Sequence, residues 1–385
     1  MAQHPSENGF RAFRVAKKHA ESDIITSFYL EPTDADPLWD VKAGQYITLR
    51  VPVADGHVLK TYAVSSDPSE AGHYRITVKR EVGTGGAPDG VGSCWLHDQI
   101  AVGDTIDVAA PRGVFYLDDN SPRPVVLLSG GVGLTPMVSM LHRLKDSDRD
   151  VYFLHACDNA RVHALRDEVM AQANDRIQAR FVYRMPEDGD QCDATGVIDK
   201  AFLQSVLPID DYDVYLCGPV PFMVAMYGVL QDLGVPKARI AYEFFGKAAS
   251  LDQLVSKAAP AKVASAAASK AAPTIQALTF LTDPDAWASA DEKPAPVQAA
   301  SQGQVRFRKS GAFAEWDGSA NSLLELAENA GLEPEFSCRS GICNACKCTL
   351  VSGEVAYFEE PLIMPENGKV LICCSRPKGA VVLDI

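Results

Sequence analysis

The sequence predicts three folded domains of different class: an antiparallel β-barrel, a doubly wound parallel α/β domain and a small α+β domain. Short β-like runs separated by Pro, Gly and Asp turns fill residues 9–118. Apolar runs that end in Gly-rich turns alternate with helical patterns in residues 119–247. Residues 248–303 have the Ala-, Ser- and Pro-rich composition of a linker, which separates residues 304–385 as the third domain.

Composition limits the classes of function. The 385 residues carry a formal net charge of −14, which disfavours binding to nucleic acid or to anionic membranes. The N-terminal residues lack the apolar core of a signal peptide, and the longest apolar stretch, residues 125–141, is interrupted by glycines and a proline. Ten cysteines in a chain of this length, four of them grouped, suit a reducing cytoplasm. We therefore expect a cytoplasmic protein.

The first domain has the pattern of an antiparallel barrel or sandwich. Runs rich in β-branched and aromatic residues follow one another at short spacing, and turn residues such as the Val-Gly-Asp at 102–104 separate them. This pattern alone indicates no function. The predicted strands are residues 13–15, 24–30, 46–51, 62–64, 74–80 and 105–109.

The second domain begins with a nucleotide-binding pattern. The continuous apolar run at residues 124–129 is typical of a parallel strand that is buried on both faces. A Gly-rich turn with Gly131 and Gly133 follows, and Thr135 is expected to cap the next helix, with Pro136 at its first position. Exposed backbone N–H groups and the helix dipole at such a turn suit an anionic pyrophosphate.

The alternation of strands and helices continues along the second domain. We expect a strand at residues 151–155, a helix at 162–173 and a strand at 213–216, which ends in the Cys-Gly-Pro at 217–219. Ligands of doubly wound sheets bind at the carboxyl ends of the strands. Both glycine-containing turns are therefore expected at one binding site.

The third domain contains a grouped set of cysteines. Cys338, Cys343 and Cys346 form a C-x4-C-x2-C run, and a fourth thiol comes from Cys373 or Cys374. This is the spacing of plant-type [2Fe–2S] ligands, in which one tight loop supplies three thiolates and a distant segment supplies the fourth. Structural zinc usually shows two short C-x2-C pairs, and a disulfide framework would need an oxidising compartment. Zinc, disulfides and chance are therefore the weaker interpretations.

The rest of the third domain has a small mixed-sheet pattern. A strand is expected at residues 305–308, and Ser322 is expected to cap a helix that ends near Gly331. Further strands are expected at residues 349–351 and 381–383.

Residues 304–385 resemble plant-type ferredoxins, a likeness carried by the cysteine spacing and its surroundings. The resemblance implies a β-grasp fold holding a [2Fe–2S] cluster. In that family three residues stand between the fourth ligand and a proline, so Pro377 implies Cys373 as the ligand instead of Cys374. Cys348, just after the loop, is interpreted as a core thiol.

The first domain resembles the flavin domain of ferredoxin-NADP-reductase-like flavoproteins, and most of all the reductase half of flavohemoglobins. The motifs are Gly-Gln-Tyr at 44–46, Lys-Thr-Tyr-Ala at 60–63, the strand at 74–81 and Ser-Cys-Trp-Leu-His at 93–97. The resemblance implies FAD, with FMN as the alternative. The implied flavin-binding residues are Lys60, Thr61, Tyr62, Ala63, Thr77, Val78, Lys79, Gly90, Gly92 and Ser93.

Two positions depart from the family pattern. Lys60 stands where an Arg would bind phosphate, so a point charge replaces a bidentate fork. Ala63 stands where a Ser hydroxyl would lie near the reactive nitrogen of the flavin, so that hydroxyl is missing. Tyr62 keeps the aromatic ring that packs on the flavin in the family.

The second domain resembles the nicotinamide domain of the same reductases. The resemblance places Cys217 near the nicotinamide and lets Phe245, in the Tyr-Glu-Phe-Phe-Gly at 242–246, shield the flavin; these two are the implied catalytic residues. Cys217 as a nucleophile is disfavoured, because no His or acid lies in a matching motif. The implied nucleotide-binding residues are Gly131, Gly133, Thr135, Pro136, Cys217, Gly218, Pro219, Glu243 and Phe245.

NADH is expected over NADPH. The 2′-phosphate of NADPH needs a cationic pocket, and Asp158, after the second strand, would repel it. Arg161 or Arg184 would attract it, so NADPH is the alternative.

The order of the domains resembles reductases of the phthalate dioxygenase type. NADH gives up two electrons as a hydride, a [2Fe–2S] cluster accepts one, and a flavin between them accepts two and releases them singly. The resemblance implies a reductase that serves a separate terminal oxygenase, with Rieske-type oxygenases as the expected partner. The alternatives are a reductase for a cytochrome P450, a hybrid-cluster protein or a small-molecule acceptor, and a non-enzymatic redox sensor.

In the linker, the apolar residues 274–287 are predicted to dock on a neighbouring domain.

Overall fold

Three main β-sheets, one for each predicted domain, organise the chain in a computed structural model that describes residues 9–54, 56–83, 88–245, 251, 303–336, 339, 341–342 and 344–385. Within these ranges no helix combines the length and the hydrophobicity needed to cross a membrane. The predicted docking of residues 274–287 lies outside the described residues, as does most of the linker.

The first sheet is an antiparallel barrel, as predicted. Its elements are β1 (Phe10–Ala20), β2 (Ile25–Pro32), β3 (Tyr46–Val53), β4 (Gly56–Ala63), β5 (Tyr74–Lys79), helix α1 (Val91–Asp98) and β6 (Thr105–Arg112). The strand order is β4-β3-β6-β1-β2-β5, and an isolated bridge between Val64 and Ile76 joins the two edges. Phe13, Phe28 and Leu49 fill the interior without solvent exposure. Closure removes the exposed strand edges that would otherwise invite pairing with other chains.

The second sheet is parallel and doubly wound, as predicted. Its strands are β7 (Val125–Gly130), β8 (Val151–Cys157), β9 (Ile177–Tyr183), β10 (Ala194–Thr195), β11 (Asp213–Cys217) and β12 (Ile240–Glu243). Its helices are α2 (Leu134–Leu144), α3 (Arg166–Met170), α4 (Lys200–Val206) and α5 (Val220–Asp232). In the order β10-β9-β8-β7-β11-β12, the winding reverses between β7 and β11. That reversal is the point where open α/β sheets bind ligands.

The helix predicted at residues 162–173 is wrong in extent. Only Arg166–Met170 is α-helical. Leu165 before it has a left-handed backbone with φ 57°, which a helix cannot continue through. His163 is extended, and its Nδ1 lies 2.8 Å from the hydroxyl of buried Tyr183. A tertiary contact therefore overrides the local helical pattern.

The start of α2 also differs from the prediction. The helix begins at Leu134 with Gly133 as the cap residue, so Thr135 is not the cap. The Thr135 hydroxyl instead donates to the carbonyl of Val132 at 3.1 Å. Pro136 falls within the first turn, where its missing N–H costs no intrahelical hydrogen bond. The Gly-rich turn thus runs directly into the helix.

The third sheet is mixed and forms the small α+β domain. Its elements are β13 (Gln304–Phe307), β14 (Phe313–Glu315), helix α6 (Leu323–Asn329), β15 (Lys347–Ser352), β17 (Lys369–Leu371) and β19 (Val381–Leu383), with a separate ribbon of β16 (Val355–Tyr357) and β18 (Ser375–Pro377). The strand order is β14-β13-β19-β15-β17. Ser322 caps α6, as predicted, by accepting a hydrogen bond from the N–H of Glu325 at 3.2 Å. Gly331 follows the helix with φ 81°, also as predicted.

A buried ionic cluster joins the barrel to the second domain. Arg75 on β5 donates two hydrogen bonds, of 2.6 and 2.7 Å, to the carboxylate of Glu168 on α3. His142 on α2 lies 2.6 Å from the same carboxylate. Burial alone would raise the pKa of Glu168, but the hydrogen bonds from His142 and Arg75 lower it to about 2. The two domains are thereby held in one fixed orientation.

We predict that Glu168→Gln destabilises the first two domains, because it leaves buried Arg75 without its anion. The expected loss is roughly 3 kcal/mol, or a Tm lower by about 6–12 °C. The carboxyl pKa is depressed from 4.5 to about 2, so the stabilisation is present above pH 4.5 and is lost as the pH falls from there towards 2. Thermal unfolding followed by circular dichroism measures both effects.

The matched control is Asp148→Asn, which breaks the ion pair of exposed Asp148 with Arg176. This variant should stay within about 0.5 kcal/mol of the wild type. Equal unfolding temperatures for Glu168→Gln and the control would contradict the stabilising role of the cluster.

Candidate functional site

The flavin-side residues meet where the end of β4 faces the start of α1. A Cβ atom on Gly92 would lie 2.5 Å from the Tyr62 hydroxyl and 2.7 Å from Cγ of Lys60. Only glycine therefore lets the helix start approach these two side chains. Burial raises the pKa of Tyr62 well above its usual value, so the phenol stays neutral. A cation, an aromatic ring and a helix N-terminus together fit a phosphate joined to a planar ring system.

Hydrogen bonds fix the turn that leads into α1. The Ser93 hydroxyl donates to the carbonyl of Gly90 and accepts from the N–H of Glu81, both at 3.2 Å. The Gly90 N–H in turn donates to the carbonyl of Glu81 at 2.8 Å. Lys79 lies 3.1 Å from the Glu81 carboxylate. The end of β5 and the Gly90 turn therefore form one unit.

Some of the predicted flavin residues have their polar groups engaged within the barrel. The hydroxyl of Thr77 lies 2.8 Å from those of Ser27 and Ser65. The carbonyl of Val78 is 2.8 Å from Nε2 of His97. Ala63 is buried and offers no hydroxyl, whereas Thr61 beside it is exposed. Thr61 is thus the accessible hydroxyl of the 60–63 motif.

The two glycine turns of the second domain pack backbone against backbone at the reversal of the winding. A Cβ atom on Gly133 would overlap the carbonyl of Cys217. A Cβ atom on Gly218 would lie 2.8 Å from the Phe222 ring. Gly131 has φ 54°, and its missing Cβ would point into open space. The structure thus brings the predicted turns together and leaves room for a ligand backbone beside them.

A neutral thiol and a carboxyl group lie side by side at the same edge of the sheet. Cys217 and Glu243 are register partners on β11 and β12. Burial, with the charge of Glu243, raises the pKa of Cys217 well above its usual value, so the thiol is protonated and not a nucleophile. Burial, with the charge of Glu359, raises the pKa of Glu243 to about 8. Phe245, two residues on, is 44% exposed.

The residues after β8 define the place expected for the adenosine ribose. Asp158 receives a hydrogen bond of 2.8 Å from Arg184. Arg161 pairs with Asp23 at 2.5 Å and with Glu187 at 3.5 Å. Both arginines that could attract a 2′-phosphate are therefore already balanced by carboxylates.

The cysteine loop of the third domain is described in part. Cys338 and Cys343 lie outside the described residues, and within the described ranges no group of three metal-binding side chains is found. Cys346 and Cys373 are buried in the same core cluster. The Gly341 N–H donates to Sγ of Cys373 at 3.3 Å, which is the contact a ligating thiolate needs from its loop.

The neighbouring cysteines make different contacts. Sγ of Cys374 lies 3.6 Å from the carbonyl of Leu371 and acts as a thiol donor. Burial raises the pKa of Cys348 to about 12, which keeps that thiol protonated in the core. The contact pattern thus favours Cys373 over Cys374 as a ligand and agrees with the interpretation of Cys348.

The cysteine loop has an unusual backbone that is anchored from outside. Arg339, Gly341 and Asn344 all have left-handed φ, of 57°, 70° and 58°. Arg339 is held by the carboxylate of Glu328, which is buried in α6, and lies 4.0 Å from the Phe336 ring. The Gly341 N–H in this loop already donates to Sγ of Cys373, and backbone turns of this kind offer N–H groups to anionic ligands. The donors present therefore fit a sulfur-rich cluster.

Comparison with known proteins assigns a family to each domain. The oxidoreductase FAD-binding domain matches residues 12–116, the oxidoreductase NAD-binding domain matches residues 127–227, and the 2Fe-2S iron–sulfur cluster binding domain matches residues 307–378. The FAD/NAD-binding domain of a nitric oxide dioxygenase from Vibrio cholerae is 38% identical with a TM-score of 0.56; the match covers 98% of that chain and 61% of this one.

The chain belongs to the ferredoxin-reductase-like flavoproteins that carry a C-terminal [2Fe–2S] domain.

Two further relatives place this reductase more closely. The flavohemoprotein of Halalkalibacterium halodurans is 43% identical over 253 residues, which are 63% of this chain and 61% of the relative. The reductase therefore spans only about three-fifths of that relative's length. Phthalate dioxygenase reductase is 25% identical with a TM-score of 0.52, and the match covers 98% of this chain and 99% of the other. The chain thus combines the FAD-binding and NAD-binding domains of oxidoreductases with a [2Fe–2S] cluster binding domain.

Two features of the reductase were not predicted from its sequence. Glu328 holds Arg339 beside the cysteine loop, and Glu359 accepts a hydrogen bond from the N–H of Gly113 in the barrel. Neither contact is indicated by a local sequence pattern. Glu328 lies among the buried residues of α6, and this position is the one sequence feature that could have indicated its structural role.

We predict that Cys373→Ser abolishes or strongly reduces the [2Fe–2S] content of the purified protein, whereas Cys374→Ser leaves it near two irons per chain. The reason is the Gly341 N–H that faces Cys373. Iron and sulfide analysis with visible circular dichroism measures the content. Cluster loss in the Cys374 variant alone would reverse the assignment.

Proposed function

We propose that this protein is the NADH-dependent reductase component of a multicomponent oxygenase and passes electrons from NADH through flavin and [2Fe–2S] to a separate, Rieske-type terminal oxygenase. The observation that carries the proposal is the end-to-end match with phthalate dioxygenase reductase, described as a modular structure for electron transfer from pyridine nucleotides to [2Fe–2S]. The described residues add no second catalytic domain to receive the electrons. A cytoplasmic location fits the many reduced cysteines.

Each domain contributes through its own residues. Gly131, Gly133 and Gly218 let the dinucleotide backbone approach the ends of β7 and β11. The uncharged thiol of Cys217 lies at the end of β11, where the nicotinamide is expected, and adds no competing charge there. A bound flavin would supply the chemistry that links a two-electron hydride donor to a one-electron acceptor. Tyr62 and Lys60 would hold its ring system and its phosphate.

NADH is the proposed donor, because the arginines that could bind a 2′-phosphate are paired. Asp158 stands directly after β8, where a carboxylate can bind a ribose 2′-hydroxyl and repels a 2′-phosphate. Its ion pair with Arg184 also removes the cation that NADPH would need.

We predict that Asp158→Asn raises kcat/KM for NADPH relative to NADH by about tenfold, equivalent to ~1.4 kcal/mol, because it removes the repelling charge and releases Arg184. Asp188→Asn, an equal charge change in the same exposed region, is the matched control and should leave the ratio unchanged. Steady-state reduction of ferricyanide with both nucleotides measures the ratio. A wild-type enzyme that prefers NADPH would contradict the proposal.

The proposed acceptor is tested by reconstitution. The purified reductase, NADH and a Rieske oxygenase from the same organism should consume NADH and substrate in equal amounts. A heme-protein acceptor such as a cytochrome P450 is the second candidate, favoured by the 43% identity of the reductase domains to a flavohemoprotein. Coupled turnover with a P450, a hybrid-cluster protein or a small molecule, and none with the oxygenase, would overturn the Rieske assignment.

A further inference from the structure

One lysine of the barrel caps the C-terminal end of α1, the helix whose first turn belongs to the expected flavin site. Lys18 lies on β1. Its Nζ donates to the main-chain carbonyls of Leu96, His97 and Ile100, at 3.3, 2.7 and 2.9 Å. The three donors of one ammonium group are thus matched to three carbonyls. Carbonyls in the last turn of a helix have no donor within the helix, and a cation there also complements the negative end of the helix dipole.

A second contact ties the same end of the helix to β5. Nε2 of His97 lies 2.8 Å from the carbonyl of Val78, and this nitrogen carries the proton because a carbonyl only accepts. The Leu96 side chain is fully buried in the barrel core. On the exposed side, Arg80 makes two hydrogen bonds, of 2.9 and 2.8 Å, to the carboxylate of Asp98. The C-terminal half of α1 therefore has a fixed position on the barrel.

The position of this end governs the first turn of the helix, because a helix of eight residues is only about 12 Å long and moves as a unit. The first turn has little room for adjustment, since a Cβ atom on Gly92 would lie 2.5 Å from the Tyr62 hydroxyl. The N–H groups of a first turn bind a phosphate only while they point at it, because hydrogen bonds weaken steeply as their angle closes. A tilt of α1 at its capped end would therefore misdirect these donors.

We propose that Lys18 is a positioning residue for the flavin phosphate: by capping the C-terminal end of α1, it holds the first turn in the orientation that binds the phosphate. Lys18 contacts the opposite end of the helix from Gly92 and acts through the helix. The proposal rests on the flavin site given above and extends it to a residue outside the motifs. Its effect is confined to flavins that carry a phosphate.

The choice of flavin distinguishes this role from a merely structural one. FMN is riboflavin with one phosphate added, so both carry the ring system that Tyr62 would contact. A loss of barrel stability would weaken the binding of both flavins alike. A misdirected first turn would weaken the binding of FMN and FAD and would leave the binding of riboflavin unchanged.

Three variants of the full chain test the proposal. Lys18→Met keeps most of the apolar stem and removes the ammonium group. Lys18→Gln is milder, because its amide can still donate to one carbonyl, and it keeps the test valid where the methionine variant folds poorly. Lys17→Met is the matched control, since it makes the same change at the neighbouring residue, whose ammonium group lies 4.7 Å from the centre of the Tyr29 ring.

The measurement is the affinity of each full chain, after release of its own flavin, for riboflavin, FMN and FAD, followed by the quenching of flavin fluorescence. In Lys18→Met the Kd for FMN and FAD should rise about tenfold, whereas the Kd for riboflavin should stay within about twofold of the wild type. Lys18→Gln should show the same selective loss to a smaller extent, and Lys17→Met should bind all three flavins as the wild type does. An equal loss for riboflavin and FMN, or no loss in either Lys18 variant, would overturn the proposal.

Gly92→Ala separates a failure of this proposal from a failure of the flavin site itself. The added Cβ atom would press on both Tyr62 and Lys60, so the binding of every flavin should weaken. Weaker binding in Gly92→Ala, together with unchanged FMN affinity in both Lys18 variants, would overturn the role of Lys18 and leave the flavin site standing. Unchanged binding in Gly92→Ala and in the Lys18 variants would overturn both.

Discussion

The hydrogen bond from Gly113 to Glu359 joins the flavin barrel to the [2Fe–2S] domain. Residues 359–362 contact the barrel through Glu359 and the cysteine loop through Leu362. On the other side of the barrel, Arg75 and Glu168 fix the nicotinamide domain. Both interfaces use charge-assisted hydrogen bonds, which specify orientation better than apolar contact does.

The electrostatics of the nicotinamide side follow from burial. Cys217 remains a thiol, Tyr62 remains a phenol, and Glu243 takes up a proton more readily than a carboxyl group in water, in each case because burial disfavours the charged form. Uncharged groups therefore surround the expected flavin site, whereas ion-paired arginines lie around the expected ribose site.

Much of this organisation could be predicted from local sequence. The apolar run before Gly130 forms a fully buried parallel strand, and Ser322 caps its helix. Both could be predicted because each sequence pattern has one dominant physical cause. The helix expected at residues 162–173 is shorter in the structure, because the buried hydrogen bond between His163 and Tyr183 outweighs the local helical propensity. The contacts of Arg75 with Glu168 and of Gly113 with Glu359 join residues 93 and 246 positions apart, and no local pattern encodes them. The flavin, nucleotide and cluster residues were predicted from motif spacing together with family resemblance, whereas the groups that hold those motifs in place were not predicted.

The central claim is that electrons pass from nicotinamide to flavin and then, one at a time, to the cluster. Anaerobic stopped-flow mixing of the holoprotein with one equivalent of NADH, followed at the separate absorption bands of flavin and cluster, tests it most directly. The account predicts that the flavin band bleaches first and that the cluster band then bleaches at a rate independent of protein concentration. A cluster that stays oxidised after the flavin is reduced, or that is reduced only in a concentration-dependent step between molecules, would contradict it.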